Sequence, residues 1–172
     1  IIMENNCKET YGKQDIYDYL NKLGYDYEVI EHQAVHNMEE LSEINLPHLE
    51  TIAKNLFVCD EKKRNYYLIT TKGDKRVDLK DFRCKYGLPP LSLAKEEKLK
   101  EILGIMPGSV TPLSILNDNE HKTHFFIDED FLMPPSIIGI HPNENTATIW
   151  LKVENLLHII KGHGNTVEIA SF

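Results

Sequence analysis

The chain has 172 residues, 41% of them hydrophobic and 27% charged, with a formal net charge of −8. That length and apolar content suit one domain with a real core and exclude an intrinsically disordered chain. The acidic balance disfavours extended binding to a DNA or RNA backbone, which needs clustered cations to release counterions. It leaves room for a short single-stranded end held by a local basic patch.

In chain order, Gln14–Leu23 carries Ile16, Tyr19, Leu20 and Leu23 at helical spacing, and Gly24 stops the helix. Tyr25–Glu31 alternates as a strand. Asn37 is placed to cap a short helix ending before Pro47, with Glu40 three residues on completing a capping box. Ile52–Cys59 and Tyr66–Thr71 read as two strands of a hairpin around the Asp60–Asn65 turn. Asp78–Tyr86 is a short helix closed by Gly87. Ser92 is expected to cap a stronger helix running to Leu103, with Leu93, Leu99, Ile102 and Leu103 as its apolar stripe. The loop Pro107–Pro112 and one helical turn at Leu113–Leu116 follow. Thr123–Asp128, Ser136–His141 and Thr146–Leu151 are strands, Val153–Lys161 a helix, and Thr166–Ala170 a last strand. Strands and helices intermix through short connections. The expectation is a single α+β domain over residues 3–172, with one mixed, largely antiparallel curved sheet and peripheral helices. Met3 is read as the natural start.

Cys7, Cys59 and Cys84 show no paired spacing, and an odd count fits a reducing cytoplasm. No run approaches the length of a membrane helix, so no membrane contact is expected. The histidines invite a metal reading, but His32 and His36 straddle a strand–helix junction, and no cysteine or acidic partner completes a ligand set. No metal and no cofactor are expected, and activity should survive chelators. A Gly-x-Ser-x-Gly elbow, a phosphate loop and a dinucleotide fingerprint are all missing.

Three short features remain. In Gly108-Ser109-Val110-Thr111-Pro112, the glycine permits close approach or positive φ, and free amides on such a loop bind a developing oxyanion. An ordinary turn is the alternative. Lys54 interrupts an apolar strand, either as an ammonium held at a cleft or as a side chain snorkelling to the surface. His141 precedes the turn Pro142-Asn143-Glu144-Asn145 and either enters the same cleft or bonds that turn. Lys72, Lys75, Arg76, Lys80, Arg83 and Lys85 form either a basic patch or a solvated polar face.

Taken together and in this order, Lys54, the Gly108–Pro112 loop and the segment Gly139-Ile140-His141-Pro142-Asn143-Glu144-Asn145-Thr146-Ala147-Thr148 resemble the YbaK/prolyl-tRNA synthetase-associated editing family. The resemblance spans most of the chain. It implies the family fold and a free-standing hydrolase that deacylates mischarged tRNA(Pro), with tRNA(Pro) as partner and prolyl-tRNA synthetase as a further one. The last motif is more similar to the branch that removes alanine than to the branch that removes cysteine. A non-catalytic module that binds aminoacyl-tRNA or an amino acid is the alternative of another class. Carried over by position, Lys54 and Gly108 take the catalytic roles. His141, Ser109, Asn145, Thr146 and His36 contact substrate, and Leu41, Ile44, Leu46 and Phe57 are pocket walls. The family further implies that the neighbouring ribose hydroxyl of the tRNA helps to activate water, so that no protein nucleophile is required.

Overall fold

A computed structural model describes residues 10–172. Cys7 and the expected start at Met3 lie outside the described residues. Helix α1 spans Lys13–Leu23 and buries Ile16 and Leu20, the positions its spacing predicts. It ends where Gly24 takes φ 71°, a left-handed conformation that glycine adopts without a Cβ clash. Strand β1 (Tyr27–Glu31) follows, then α2 (Met38–Glu43). Asn37 caps α2 by accepting the Glu40 amide at 2.8 Å. The expected capping box differs in one bond: Glu40 Oε2 accepts from the amide of His36, not of Asn37.

The long hairpin comprises β2 (Ala53–Asp60) and β3 (Tyr66–Lys72). Asp60 holds its turn, accepting from the Arg64 amide at 2.9 Å and the Asn65 side chain at 2.8 Å. Helix α3 (Leu79–Tyr86) is capped by Asp78. The next segment corrects the sequence reading. Leu91–Leu93 is not the start of a helix but a short strand, β4, paired antiparallel to β2 with Leu93 opposite Val58. Ser92 therefore caps nothing, and Leu93 is 63% exposed rather than part of an apolar stripe. The helix begins later, with α4 (Glu96–Lys98), and continues as a π-helical turn over Leu99–Leu103 that buries Leu99, Ile102 and Leu103. A 3₁₀ segment, Pro112–Asn117, precedes β5 (Thr123–Asp128), β6 (Ile137–Ile140), β7 (Ala147–Lys152), α5 (Val153–His163) and β8 (Val167–Ala170).

The strands form two sheets rather than one. The larger has the order β4-β2-β3-β5-β8, and the smaller β1-β7-β6. Pairing is antiparallel except at β3–β5 and β5–β8. Helix α5 and the inner faces of both sheets enclose the main core, which includes Leu68, Leu103, Phe125, Ile127, Ile138, Ile149 and Leu156. Each such side chain contributes about 1.5–3 kcal/mol by leaving water. A second cluster, around Phe82 and Phe126, packs α3 on the outer face of the large sheet.

The sheets meet at one point that positions everything below. Ile52, just before β2, bridges in parallel to Gly139 on β6. A Cβ at Gly139 would lie 2.7 Å from Trp150 Nε1 and 3.1 Å from Ile52 Cγ1. Only glycine lets the two chains approach this closely.

Candidate active site

The parallel bridge has a geometric consequence. Successive side chains of extended backbone alternate faces, so residues two apart share a face. Two residues beyond Ile52 is Lys54, and two residues beyond Gly139 is His141. Parallel register carries both in the same direction from the bridge, and they meet in one cavity of about 190 Å³. Val35, His36, Met38 and Leu41 from the α2 segment line one side of it, and Gly108 and Val110 line another. Ile52, Ala53, Asn55, Gly139, Ile140 and Thr148 complete the lining.

The Gly108 loop is held by its neighbours. Gly108 has φ 85°, which a side chain would strain. A Cβ there would stand 3.5 Å from His36 Nδ1 and 3.7 Å from Asn145 Nδ2, so three separate segments converge at this glycine. The Ser109 amide closes a turn onto the Met106 carbonyl at 3.1 Å and is not free for an oxyanion. The amides of Gly108 and Val110 have no hydrogen-bond partner among the described residues. Thr111 is fully buried, and its hydroxyl donates to the His141 carbonyl at 2.7 Å, tying the loop to the end of β6.

His141 is oriented from the other side as well. Its Nδ1 stands 2.9 Å from the Ala147 carbonyl oxygen. A carbonyl only accepts, so Nδ1 carries the proton and Nε2 is left as the acceptor of the neutral ring. Burial pushes the His141 pKa below the ordinary histidine value; the bond to Ala147 opposes this, and nearby His32 adds to it. Lys54 is half-buried on β2, and among the described residues no acidic group pairs with its ammonium. A cation without a counter-ion at the mouth of a small cavity offers its charge to a ligand.

The other predicted positions divide. His36 lines the cavity, and so does Leu41. Ser109 is buried but is not part of the lining. Asn145 holds the wall in place: its Nδ2 donates to the Val35 carbonyl at 2.9 Å, and its carbonyl accepts the Val35 amide at 3.4 Å. Thr146 also lies off the cavity, where its hydroxyl accepts from Lys13 Nζ at 3.0 Å. Ile44 and Leu46 pack behind the wall with Val35, Ile52 and Trp150. Phe57 belongs to the main core, stacked on Tyr66 at 5.5 Å. Thr111, Thr148 and Asn55 are cavity or support residues that the sequence reading passed over. Thr111 sits inside the Gly108–Pro112 motif, and Thr148 ends the motif that begins at Gly139.

Half of the basic stretch is committed within the fold. Lys75 pairs with buried Asp128 at 2.8 Å and with Asp130 at 2.7 Å. Lys72 donates to the Glu50 carbonyl, and Lys85 to Ser171. Among the described residues no group of three or more His, Cys, Asp or Glu is placed to hold a metal ion. No helix of these residues is long and apolar enough to cross a membrane.

An unpaired lysine, a positive-φ glycine and a neutral histidine around a small pocket define a site for a compact ligand with an anionic or polarised oxygen. The class is that of editing hydrolases acting on aminoacyl-tRNA. The chain belongs to the aminoacyl-tRNA editing domain family, whose match covers residues 32–159. It is 37% identical over 155 residues to the prolyl-tRNA editing protein ProX of Acetoanaerobium sticklandii, covering 90% of this chain and 94% of that protein. It is 33% identical over 160 residues to the prolyl-tRNA synthetase associated domain-containing protein 1 of Mus musculus, covering 89% and 92%. The multifunctional Ser/Thr-tRNA deacylase ProXp-y of Escherichia coli is 30% identical over 115 residues, covering 65% and 68%. Among solved structures, a candidate trans-editing enzyme for prolyl-tRNA synthetase superimposes with a TM-score of 0.71 at 22% identity, covering 92% and 94%. That likeness establishes the fold.

Proposed function

We propose that this chain hydrolyses the ester linking alanine to the terminal ribose of tRNA(Pro), so that alanine mistakenly attached by prolyl-tRNA synthetase is removed before it reaches the ribosome. The observation that carries this reading is the cavity itself. Lys54, Gly108 and His141, far apart in sequence, share a space of about 190 Å³ with Val35, Leu41, Ile52 and Ile140 among its walls. Its aliphatic walls can seat a small side chain while Lys54 and Gly108 face the ester.

In this reading the acceptor end of tRNA(Pro) enters at the mouth, and the aminoacyl group occupies the cavity. A water attacks the ester carbonyl, assisted by the neighbouring ribose hydroxyl. The amides of Gly108 and Val110 receive the negative charge on the carbonyl oxygen, where fixed donors act with little reorganisation. Ser109 acts on the loop's shape through its turn, not as a donor. Lys54 neutralises the terminal phosphate or the developing oxyanion. His36 closes the mouth against Gly108, and Asn145 holds the Val35 wall. Proline requires a ring where alanine has a methyl, and forcing extra methylenes into a packed wall costs about 1–3 kcal/mol. The synthetase has the converse difficulty, since a site built for proline rejects a smaller residue only weakly. The reaction is assigned to the cytoplasm, where translation takes place.

The test is a side-by-side deacylation assay at substoichiometric protein with Ala-, Cys-, Ser- and Pro-tRNA(Pro). Multiple turnovers with fastest loss of the alanyl ester are expected. Fastest loss of the cysteinyl or seryl ester would move the specificity to another branch of the family. Protection of the ester without turnover would make the protein a binding module.

A further inference from the structure

The cavity holds a second recognition element that none of the expected roles uses. Thr148 lines it, and Thr148 Oγ1 stands 2.9 Å from His32 Nε2. The other nitrogen of His32, Nδ1, stands 2.7 Å from the Gln33 carbonyl oxygen. That carbonyl accepts, so Nδ1 carries the proton. In the neutral ring Nε2 then accepts, and the Thr148 hydroxyl must donate its one proton to it. Its remaining lone pairs make Thr148 an acceptor toward anything else it meets. His141 is fixed in the same sense from its own side, with Nδ1 donating to the Ala147 carbonyl and Nε2 left to accept. The two rings lie 6.4 Å apart by their centroids. Backbone carbonyls thus set both tautomers, and the same region of the cavity is left with two acceptors in place of a donor and an acceptor.

Two fixed acceptors recognise a group that carries protons. An α-amino group has a pKa of about 7.7–8.0 and is largely an ammonium at neutral pH, with three protons to donate. Among the described residues the cavity lining contains no carboxylate to bind such a cation. An aminoacyl ester fits with its carbonyl oxygen toward Lys54 and Gly108 and its amino group toward His141 and Thr148. We propose that His141 Nε2 and the Thr148 hydroxyl form the subsite for the substrate's free α-ammonium, with His32 as the residue that sets the polarity of Thr148. This inference rests on the deacylase reading above and makes the enzyme selective for unblocked aminoacyl esters.

The experiment compares alanyl-tRNA(Pro) with lactyl-tRNA(Pro), in which a hydroxyl replaces the amino group and the methyl is kept. Both are measured with the wild type, Thr148→Val and His141→Phe. Hydrogen bonds to a charged group are the strong ones, so wild-type kcat/KM should be about tenfold or more higher for the alanyl ester. Thr148→Val and His141→Phe should each shrink that ratio several-fold, lowering the alanyl rate more than the lactyl rate. His32→Ala should shrink it through Thr148, and His32→Gln, which retains a side-chain acceptor, should restore part of it. Equal losses on both esters in every variant would overturn the subsite and leave these residues as walls. Equal wild-type rates on the two esters would also overturn it. A wild type that cleaves neither ester defeats the deacylase reading instead, so the two failures are distinct.

Discussion

Replacing Lys54 with methionine separates its charge from its packing. The methionine side chain keeps an unbranched apolar stem on β2, so the contacts of the half-buried methylenes survive. No acidic group among the described residues pairs with the ammonium, so no ion pair is broken. The stability change should fall within about 0.5 kcal/mol, as for substitutions that break no specific interaction. For a protein of this size that is about 2 °C or less in Tm. Catalysis should respond very differently. Removing one fixed group that stabilises charge in the transition state costs about 10²–10³ in rate. Single-turnover deacylation of Ala-tRNA(Pro) and a thermal melt on the same preparation read both quantities. A variant with wild-type turnover refutes the catalytic assignment of Lys54. A large drop in Tm with proportionate loss of activity refutes it in favour of a structural lysine.

Three further outcomes follow from the geometry. Gly139→Ala forces a methyl against Trp150 and Ile52; it should cost about 1–3 kcal/mol and shift the emission of Trp150, the one tryptophan of the chain. Unchanged stability and emission would mean that the seam between the sheets is looser than described. Thr111→Val removes the donor to the His141 carbonyl; leaving such a group unpaired costs about 1–3 kcal/mol, and KM for Ala-tRNA(Pro) should rise as His141 loses its tether. His141 should titrate by NMR below the ordinary histidine value, chiefly because burial disfavours its charged form. The unfolded chain then binds the proton more readily than the fold, so this residue lowers stability as pH falls below about 6.5 toward its folded pKa. A midpoint above 6.5 would contradict the neutral acceptor.

Local chemistry was legible where it was self-contained. Strand β5 has the bounds that its alternation predicts, and the β2–β3 hairpin follows from two apolar runs around a polar turn. Asn37 caps as its position suggests, whereas Asp78, read as the first residue of its helix, is the cap before it. Leu91–Leu93 was not legible, because three residues carry no period, and a leucine pair with a serine between them reads equally well as a helix start. Edge pairing to Val58, Cys59 and Asp60 decided it. The division into two sheets was hidden for a related reason. Each strand declares its own alternation, but nothing in a strand declares its partner.

The site shows the same boundary from the side of function. Lys54, Gly108 and His141 each stand out locally, as a cation in an apolar strand, a glycine in a loop and a polar ring at a strand's end, but each also had an ordinary alternative, and it was their joint order, resembling the editing family, that singled them out. What brings Lys54 and His141 together is one parallel bridge between Ile52 and Gly139, and neither residue bears chemistry of its own. Ile52 supplies packing and Gly139 supplies absence of a side chain, so motif reading has no reason to pair them. Once paired, the two-residue period of extended backbone requires that Lys54 and His141 be neighbours. Thr111 and Thr148 went unread because a buried threonine looks like any β-branched strand or loop residue until its hydroxyl's partner is known. Their partners are a carbonyl and an imidazole contributed by other segments of the chain. The candidate groups are therefore carried by the sequence, while their orientation and tautomers are properties of the assembled fold.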